Sequence, residues 1–204
     1  MTGMRQRPSQ AHVRRRVSAL LMTVGAFALV GSGASVARAA LARDAARTRW
    51  AELEAQRAAT GARAKVAGGT GWAAAPGSPV ARLLIPRLGL DEVVVEGVGD
   101  DALRAGPGHM TGSVLPGEPG NSVISAHRDR HFRPLGGLVV GDTVITEIGT
   151  GRVRWVVSRI RVMTADAPAL HTTATPVLTL TTCWPIRYFG SAPDRLIAEA
   201  VPTL

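Results

Sequence analysis

The stretch Val177-Leu-Thr-Leu-Thr-Thr-Cys183 alternates aliphatic and β-branched residues and is closed off by Pro185. It reads as a β-strand, because such side chains fit a pleated surface and proline cannot donate to a ladder. The strand ends on Cys183, the single cysteine of the chain. A lone thiol has no internal disulfide partner, so it is either a small buried hydrophobe or a reactive group. Twelve positions later Arg195 opens another run of the same kind.

Outward from this strand, residues 80–85, 92–96, 122–126, 142–148, 152–162 and 195–201 carry similar β-rich patterns. Turn chemistry separates them: Pro86-Arg-Leu-Gly89, Gly106-Pro-Gly108, Leu115-Pro-Gly-Glu-Pro-Gly-Asn121, Gly149-Thr-Gly151 and Gly190-Ser-Ala-Pro193. Short strands at this spacing predict an all-β domain, a barrel or a sandwich. Only residues 100–105 and 132–138 read as short helical turns. With 4% aromatic residues, the core must be built mostly from Val, Leu and Ile.

Charge separates this unit from what precedes it. Residues 1–79 hold 12 basic and 3 acidic residues, whereas 80–204 hold 12 of each, so the net charge of +9 belongs wholly to the N-terminal part. A nucleic-acid-binding domain needs a basic stripe on its folded part, and none is singled out here. Basic residues beside an apolar run point to a membrane instead. That run, 17–37, has no charged residue up to Arg38 and follows Arg14-Arg15-Arg16. It is long enough to span a bilayer as a helix. Ala37-Arg38-Ala39 also fits a signal-peptidase site, so anchor and cleaved signal peptide both stay open. The clustered arginines favour a cytoplasmic N-terminus, offset by Arg38, Arg43, Arg47 and Arg49 just beyond the span.

Residues 41–66 are rich in Ala, Arg and Glu with few large apolar side chains, which predicts a helical stalk. Residues 68–79 form a Gly/Pro/Ala linker. The predicted organisation is a basic cytoplasmic tail (1–16), an anchor (17–37), stalk and linker (38–79), and a folded unit (80–204).

Within that unit, Asn121-Ser-Val-Ile-Ser-Ala-His127-Arg128-Asp129 sets a histidine just past a strand. A thiol nucleophile needs a proton carrier, and the oxyanion it creates needs a fixed positive donor. Cys183, His127 and Arg195 supply those chemistries if the fold gathers the strand ends. Spacing leaves the plainer readings open, His127 as a turn hydrogen-bonder and Arg195 as a solvated charge. His131 reads as a turn residue, and His109 and His171 as structural or exposed.

Thr179, Leu180, Thr182 and Cys183 resemble the Thr-Leu-x-Thr-Cys signature of sortases. Residues 119–142, with His127, are similar to the histidine segment of that family, and residues 80–90 to its opening strand. Trp184-Pro-Ile-Arg-Tyr-Phe-Gly-Ser-Ala-Pro-Asp-Arg195 is closest to the class D type. The resemblance covers nearly all of 80–204 in order. It implies a closed eight-stranded sortase-type β-barrel with short helices, behind a membrane helix and helical stalk. It also implies Cys183 as nucleophile, His127 as acid/base, Arg195 as stabiliser of oxyanion or substrate, and Thr182 in holding substrate or orienting the oxyanion through its backbone.

Implied with these are a membrane-anchored transpeptidase on the extracytoplasmic side of a bacterial plasma membrane, surface proteins with LPxTG-like C-terminal signals as substrates, and an amine acceptor of the cell envelope. Two departures flank the site: Ala126 stands where the family usually has Gly, and Trp184 where class D often has Tyr. No cofactor is expected. Calcium-using relatives carry acidic residues before the cysteine strand, where 162–176 contain only Asp166, too few for a hard-cation cage. Residues 66–79 lack the Asp-Pro-aromatic lid of pilin-polymerising relatives; Trp72 reads as a packed linker tryptophan, with cover of the groove as the alternative. A catalytically idle sortase-like binding module and a cysteine peptidase releasing product to water are the competing functions.

Overall fold

The computed structural model describes residues 10–60, 74–149 and 151–203. They fall into two compact units, Met1–Leu41 and Ala42–Leu204, and helix α1 (Gln10–Thr60) contributes to both. In the first unit Leu20, Leu21, Met22, Val24 and Phe27 are all exposed. Among the described residues α1 is the one helix long and apolar enough to cross a membrane, by length and composition.

The second unit is a closed barrel. Its elements are β1 (Pro79–Ile85), a 3-10 turn (Pro86–Leu88), β2 (Leu90–Glu96), α2 (Asp100–Ala105), β3 (Gly108–His109), β4 (Asn121–Ser125), a 3-10 helix (Arg133–Gly137), β5 (Thr143–Ile148), β6 (Gly151–Thr164), β7 (Val177–Trp184) and β8 (Asp194–Pro202). The hydrogen-bonded order is β1-β2-β3-β4-β7-β8-β6-β5, and β5 returns to β1. Pairings β2–β3 and β4–β7 are parallel and the rest antiparallel. Closure leaves no long edge to aggregate.

Alternation decides which face turns inward. In β1, Ala81, Leu83 and Ile85 are fully buried while Arg82 and Leu84 are not. The barrel fills with Val, Leu and Ile around two larger side chains, Trp155 and Phe132. The Trp155 indole N–H donates to Thr146 Oγ1 at 2.9 Å, so its burial leaves no orphan donor. Gly89, at φ 61°, turns the chain from β1 into β2. At Gly108 a Cβ would lie 2.1 Å from the Gly97 carbonyl oxygen, so only glycine lets β3 come this close. Arg87 donates to the Asp142 carboxylate and to the Gly137 carbonyl, joining the β1–β2 turn to the 3-10 helix and to the residue before β5. That guanidinium holds the Asp142 carboxyl below its usual range.

The helical turn expected at 132–138 is a 3-10 helix over Arg133–Gly137. Two features differ from the sequence pattern. The eighth strand, β3, has two residues and is too short to show alternation. The expected stalk is not clear of the barrel: Ala46 and Trp50 of α1 are 4% and 3% exposed and pack against Val93, Val95 and Ala102. An alanine and a tryptophan one turn apart in a segment rich in Ala, Arg and Glu are a weak signal, and they become a docking stripe only when β2 and α2 offer a matching face. Arg43 of the same helix is ion-paired to the buried Glu92 carboxylate, with Arg47 at 4.0 Å and His131 Nδ1 at 3.4 Å. His131 lies in the turn after β4, as expected, and there it is a buried partner of Glu92. Residues 61–73, with Trp72 and much of the linker, lie outside the described residues.

Candidate active site

Strand β7 lies between β4 and β8, and its two ladders bring the three singled-out residues together. The parallel ladder pairs Ser125 with Thr181. Two residues further along each chain stand His127 and Cys183, and neighbouring strands lie about 4.8 Å apart. The Ala126 N–H, bonded to the Thr181 carbonyl at 3.2 Å, carries the ladder toward that point. On the other side, the antiparallel ladder pairs Cys183 directly with Arg195. Arg195 Nη1 lies 4.0 Å from Cys183 Sγ, and its Nε donates to the Ala165 carbonyl at 3.0 Å. The guanidinium is thus tethered at one nitrogen and turned toward the sulfur at another.

All three side chains line one cavity of about 480 Å³. Val98, Leu103, Met110 and Leu170 supply its apolar walls, with Ala167–Ala169 along one rim. Cys183 is half-buried, reachable from the cavity yet shielded on its strand side. A nucleophile, a titratable imidazole and a permanent cation around one apolar recess can attack a carbonyl, move a proton and hold negative charge. Among the described residues no group of three or more His, Cys, Asp or Glu could hold a metal ion.

The side chain of Thr182 is used inside the fold, which leaves only its backbone for the expected role. Thr182 is fully buried, and its hydroxyl donates to the Ala126 carbonyl at 2.7 Å. Alternation along β7 sends Thr181 and Cys183 to the cavity and Thr182 away from it. Its side chain fastens the residue before His127 and does not face a substrate.

Further residues support the site without a sequence signal to mark them. Arg128 donates to the Pro185 carbonyl at 3.3 Å, to the Tyr188 carbonyl at 3.2 Å and to the Gly190 carbonyl, and its guanidinium lies 5.6 Å from the Tyr188 ring centroid. One side chain next to His127 therefore clamps the loop between Cys183 and Arg195. Asn121 accepts from Thr179 Oγ1 at 2.7 Å and donates to the Ala169 carbonyl at 3.1 Å, which fixes the rim before β7.

Beneath Met110, buried His109 holds Glu96 through Nδ1 at 2.8 Å, while its Nε2 faces Ser113 Oγ at 2.9 Å and the Val114 carbonyl at 3.0 Å. The Ser-His-Glu order is superficial. Ser113 donates its proton to the Met110 carbonyl at 2.7 Å, and the imidazole nitrogen beside it also faces a carbonyl. This network shapes the Met110 wall and is not a second nucleophile.

Known proteins similar to this chain in sequence and fold are sortases. Residues 83–203 match the family model of the sortase domain. Sortase D of Bacillus subtilis (strain 168) is 35% identical over 117 residues, which span 56% of this chain and 59% of that protein. A Clostridium perfringens Sortase D5 transpeptidase superposes with a TM-score of 0.61 over 82% of this chain and 99% of its own, at 23% identity. A C. perfringens sortase C, solved with the C-terminal cell wall sorting motif, superposes at 0.57 with 27% identity, covering 63% of this chain and 72% of its own.

Proposed function

Because this chain belongs to the sortase family, we propose that it is a membrane-anchored cysteine transpeptidase acting on proteins with an LPxTG-like C-terminal sorting signal. The observation that carries the reading is the meeting of Cys183, His127 and Arg195 around one apolar cavity, with the guanidinium 4.0 Å from the thiol.

In this reading the apolar walls take the non-polar residues of the signal and set the Thr–Gly bond over Cys183. The thiolate attacks the Thr carbonyl, the S–C bond forms, and the oxyanion develops beside Arg195, which stays charged throughout. Collapse breaks the C–N bond, and His127 gives its proton to the departing amine. An amine of the cell envelope then attacks the thioacyl carbon. His127 takes a proton from that nitrogen, the C–S bond breaks, and Cys183 leaves as thiolate. Thr182 and Arg128 act at one remove, by holding the chain on either side of His127 and the loop after Cys183.

The apolar first half of α1 serves as a single membrane span in this reading, with the arginine-rich tail in the cytoplasm and residues 80–204 outside. The charge-neutral folded unit is then the catalytic domain.

Product analysis of a sorting peptide, with and without added amine, tests the activity. Transfer of the acyl group to the amine is expected, whereas hydrolysis alone would indicate a cysteine peptidase. Cys183→Ala is expected to abolish both the mass adduct of the acyl-enzyme and transfer, because the chain holds no other thiol. Turnover by that variant overturns the reading, and a wild-type protein that binds the peptide without ever acylating is an idle binding module.

A further inference from the structure

Just past Cys183 the chain lines a second recess, of about 420 Å³, which shares no residue with the reactive cavity. The 3-10 helix supplies one wall, with Arg133, and the chain after Cys183 supplies the other, with Trp184, Ile186 and Arg187. A Cβ at Gly136 would lie 3.2 Å from Ile186, so glycine lets the two walls approach. Among the described residues neither Arg133 nor Arg187 forms an ion pair, whereas Arg82, Arg87, Arg159 and Arg161 sit on carboxylates.

Beyond Arg187 the loop carries apolar groups outward. Phe189 is fully exposed and Tyr188 half-exposed. Slack in the loop does not explain this. Arg128 donates to the carbonyls of Tyr188 and Gly190, the two neighbours of Phe189, and its guanidinium also packs on the Tyr188 ring. The backbone on both sides of Phe189 is thus fixed while its ring is held out in water. Val139 and Val140, just past the 3-10 helix, are exposed as well. Apolar groups held out beside unpaired cations suit a partner with an anionic surface and an apolar interior.

We propose that this face rests on the lipid bilayer, with Arg133 and Arg187 on the phosphates of anionic headgroups and Phe189 inserted among those headgroups. The proposal rests on the reading of α1 as an uncleaved membrane span. Chain length argues for a bilayer over other partners. Arg43 is ion-paired to Glu92, which also meets His131, two residues before Arg133. From Ala37, where the apolar run ends, Arg43 is six residues on, a reach of at most about 20 Å even when fully extended. If the run spans the bilayer, the turn that carries His131 and Arg133 stays near its surface, whatever course residues 38–42 take. A guanidinium holds a phosphate through two parallel hydrogen bonds, and aromatic side chains favour the membrane–water interface. Because Trp184 directly follows Cys183, the same contact keeps the reactive cavity close to the bilayer.

The test places the full chain, one copy per nanodisc, in phosphatidylcholine with or without phosphatidylglycerol. Cys183→Ala removes the native thiol, and Phe189→Cys then carries an apolar, environment-sensitive dye. In discs with phosphatidylglycerol its emission should shift to the blue and be quenched by spin-labelled lipid. The same dye at Thr203→Cys, past the other end of β8, should show neither effect. Arg133→Glu with Arg187→Glu should abolish both signals at 189, whereas Arg133→Lys with Arg187→Lys should keep the blue shift, since the charge remains. Both arginines are exposed, and a thermal melt checks that each variant is folded. With one chain per disc, no second copy can cover the loop. If the chain stays in the disc but the dye at 189 is as wet as that at 203, the docking face is wrong and the span reading stands. A blue shift that survives the two Glu substitutions overturns the docking face in the same way. A full chain that does not stay in the disc overturns both readings.

Discussion

Two faces of the barrel are assembled by different forces. At the Cys183 end, β4, β7 and β8 set the reactive side chains through backbone ladders, with a register that no single side chain controls. At the β2–α2 face, residues 42–60 of α1 dock through side chains alone: Trp50 and Ala46 in an apolar seat, and Arg43 on buried Glu92. The first arrangement tolerates little displacement but resists it collectively. The second depends on a few contacts, any one of which can be removed. Substitutions at the site should therefore change rates with little effect on stability, and substitutions at the docking face should do the reverse.

The largest effect is expected at the docking face. Trp50→Ala empties a seat that is 3% exposed and should cost about 3 kcal/mol of stability. Alkylation of Cys183 by a small reagent, measured well below the melting temperature, should keep its wild-type rate. An equal fall in alkylation rate would join the two faces into one.

Arg195→Lys tests the other side. Lysine keeps the charge but not the planar fork, one arm of which is held by the Ala165 carbonyl. Transfer should slow on the order of 10²-fold, about 2.7 kcal/mol in barrier, while the thermal midpoint barely moves. Near-normal transfer would mean that the position supplies charge only.

Arg128→Ala should slow transfer about tenfold by freeing the loop that joins Cys183 to Arg195. Arg128→Lys should not restore it, because one ammonium cannot serve three carbonyls spread over the loop. The diagnostic readout is the pH profile of kcat/KM, which should shift if the clamp sets the placement of His127. A lowered melting temperature with an unshifted profile would reduce Arg128 to a scaffold residue.

The smallest effect concerns acid. Asp142 has its carboxyl held down by Arg87, so the pair stabilises the fold above the ordinary carboxylate value, about pH 4. That contribution is lost as pH falls through the depressed folded value. Because the Arg87 side chain is 51% exposed, solvent screening keeps the gain modest. Thermal midpoints from neutral pH to below pH 4 should fall less steeply for Asp142→Asn than for wild type. Parallel curves would show that the pair does not contribute.

Much of the fold was legible because alternation is a local property. The runs at 80–85, 142–148 and 177–183 each announce a half-buried or buried strand within a few residues, and Gly/Pro turns mark their ends. Residues 100–105 likewise read as a helical turn and form α2. β3 was not legible, since two residues carry no period, and neither was the docking of Trp50, since a lone tryptophan on a polar helix has no partner in its own segment.

The candidate site divides in the same way. The sequence alone marked Cys183, His127 and Arg195 as chemically able, and its family signature tied them to one reaction class. Only the tertiary structure decided that they share a cavity, because that depends on the parallel β4–β7 register and the direct Cys183–Arg195 pairing. It also turned the Thr182 hydroxyl away from the cavity and engaged Arg128 with three carbonyls far along the chain. The physical reason is common to all of these. Residue type and local pattern set what a side chain can do, whereas long-range backbone pairing sets which other groups it meets.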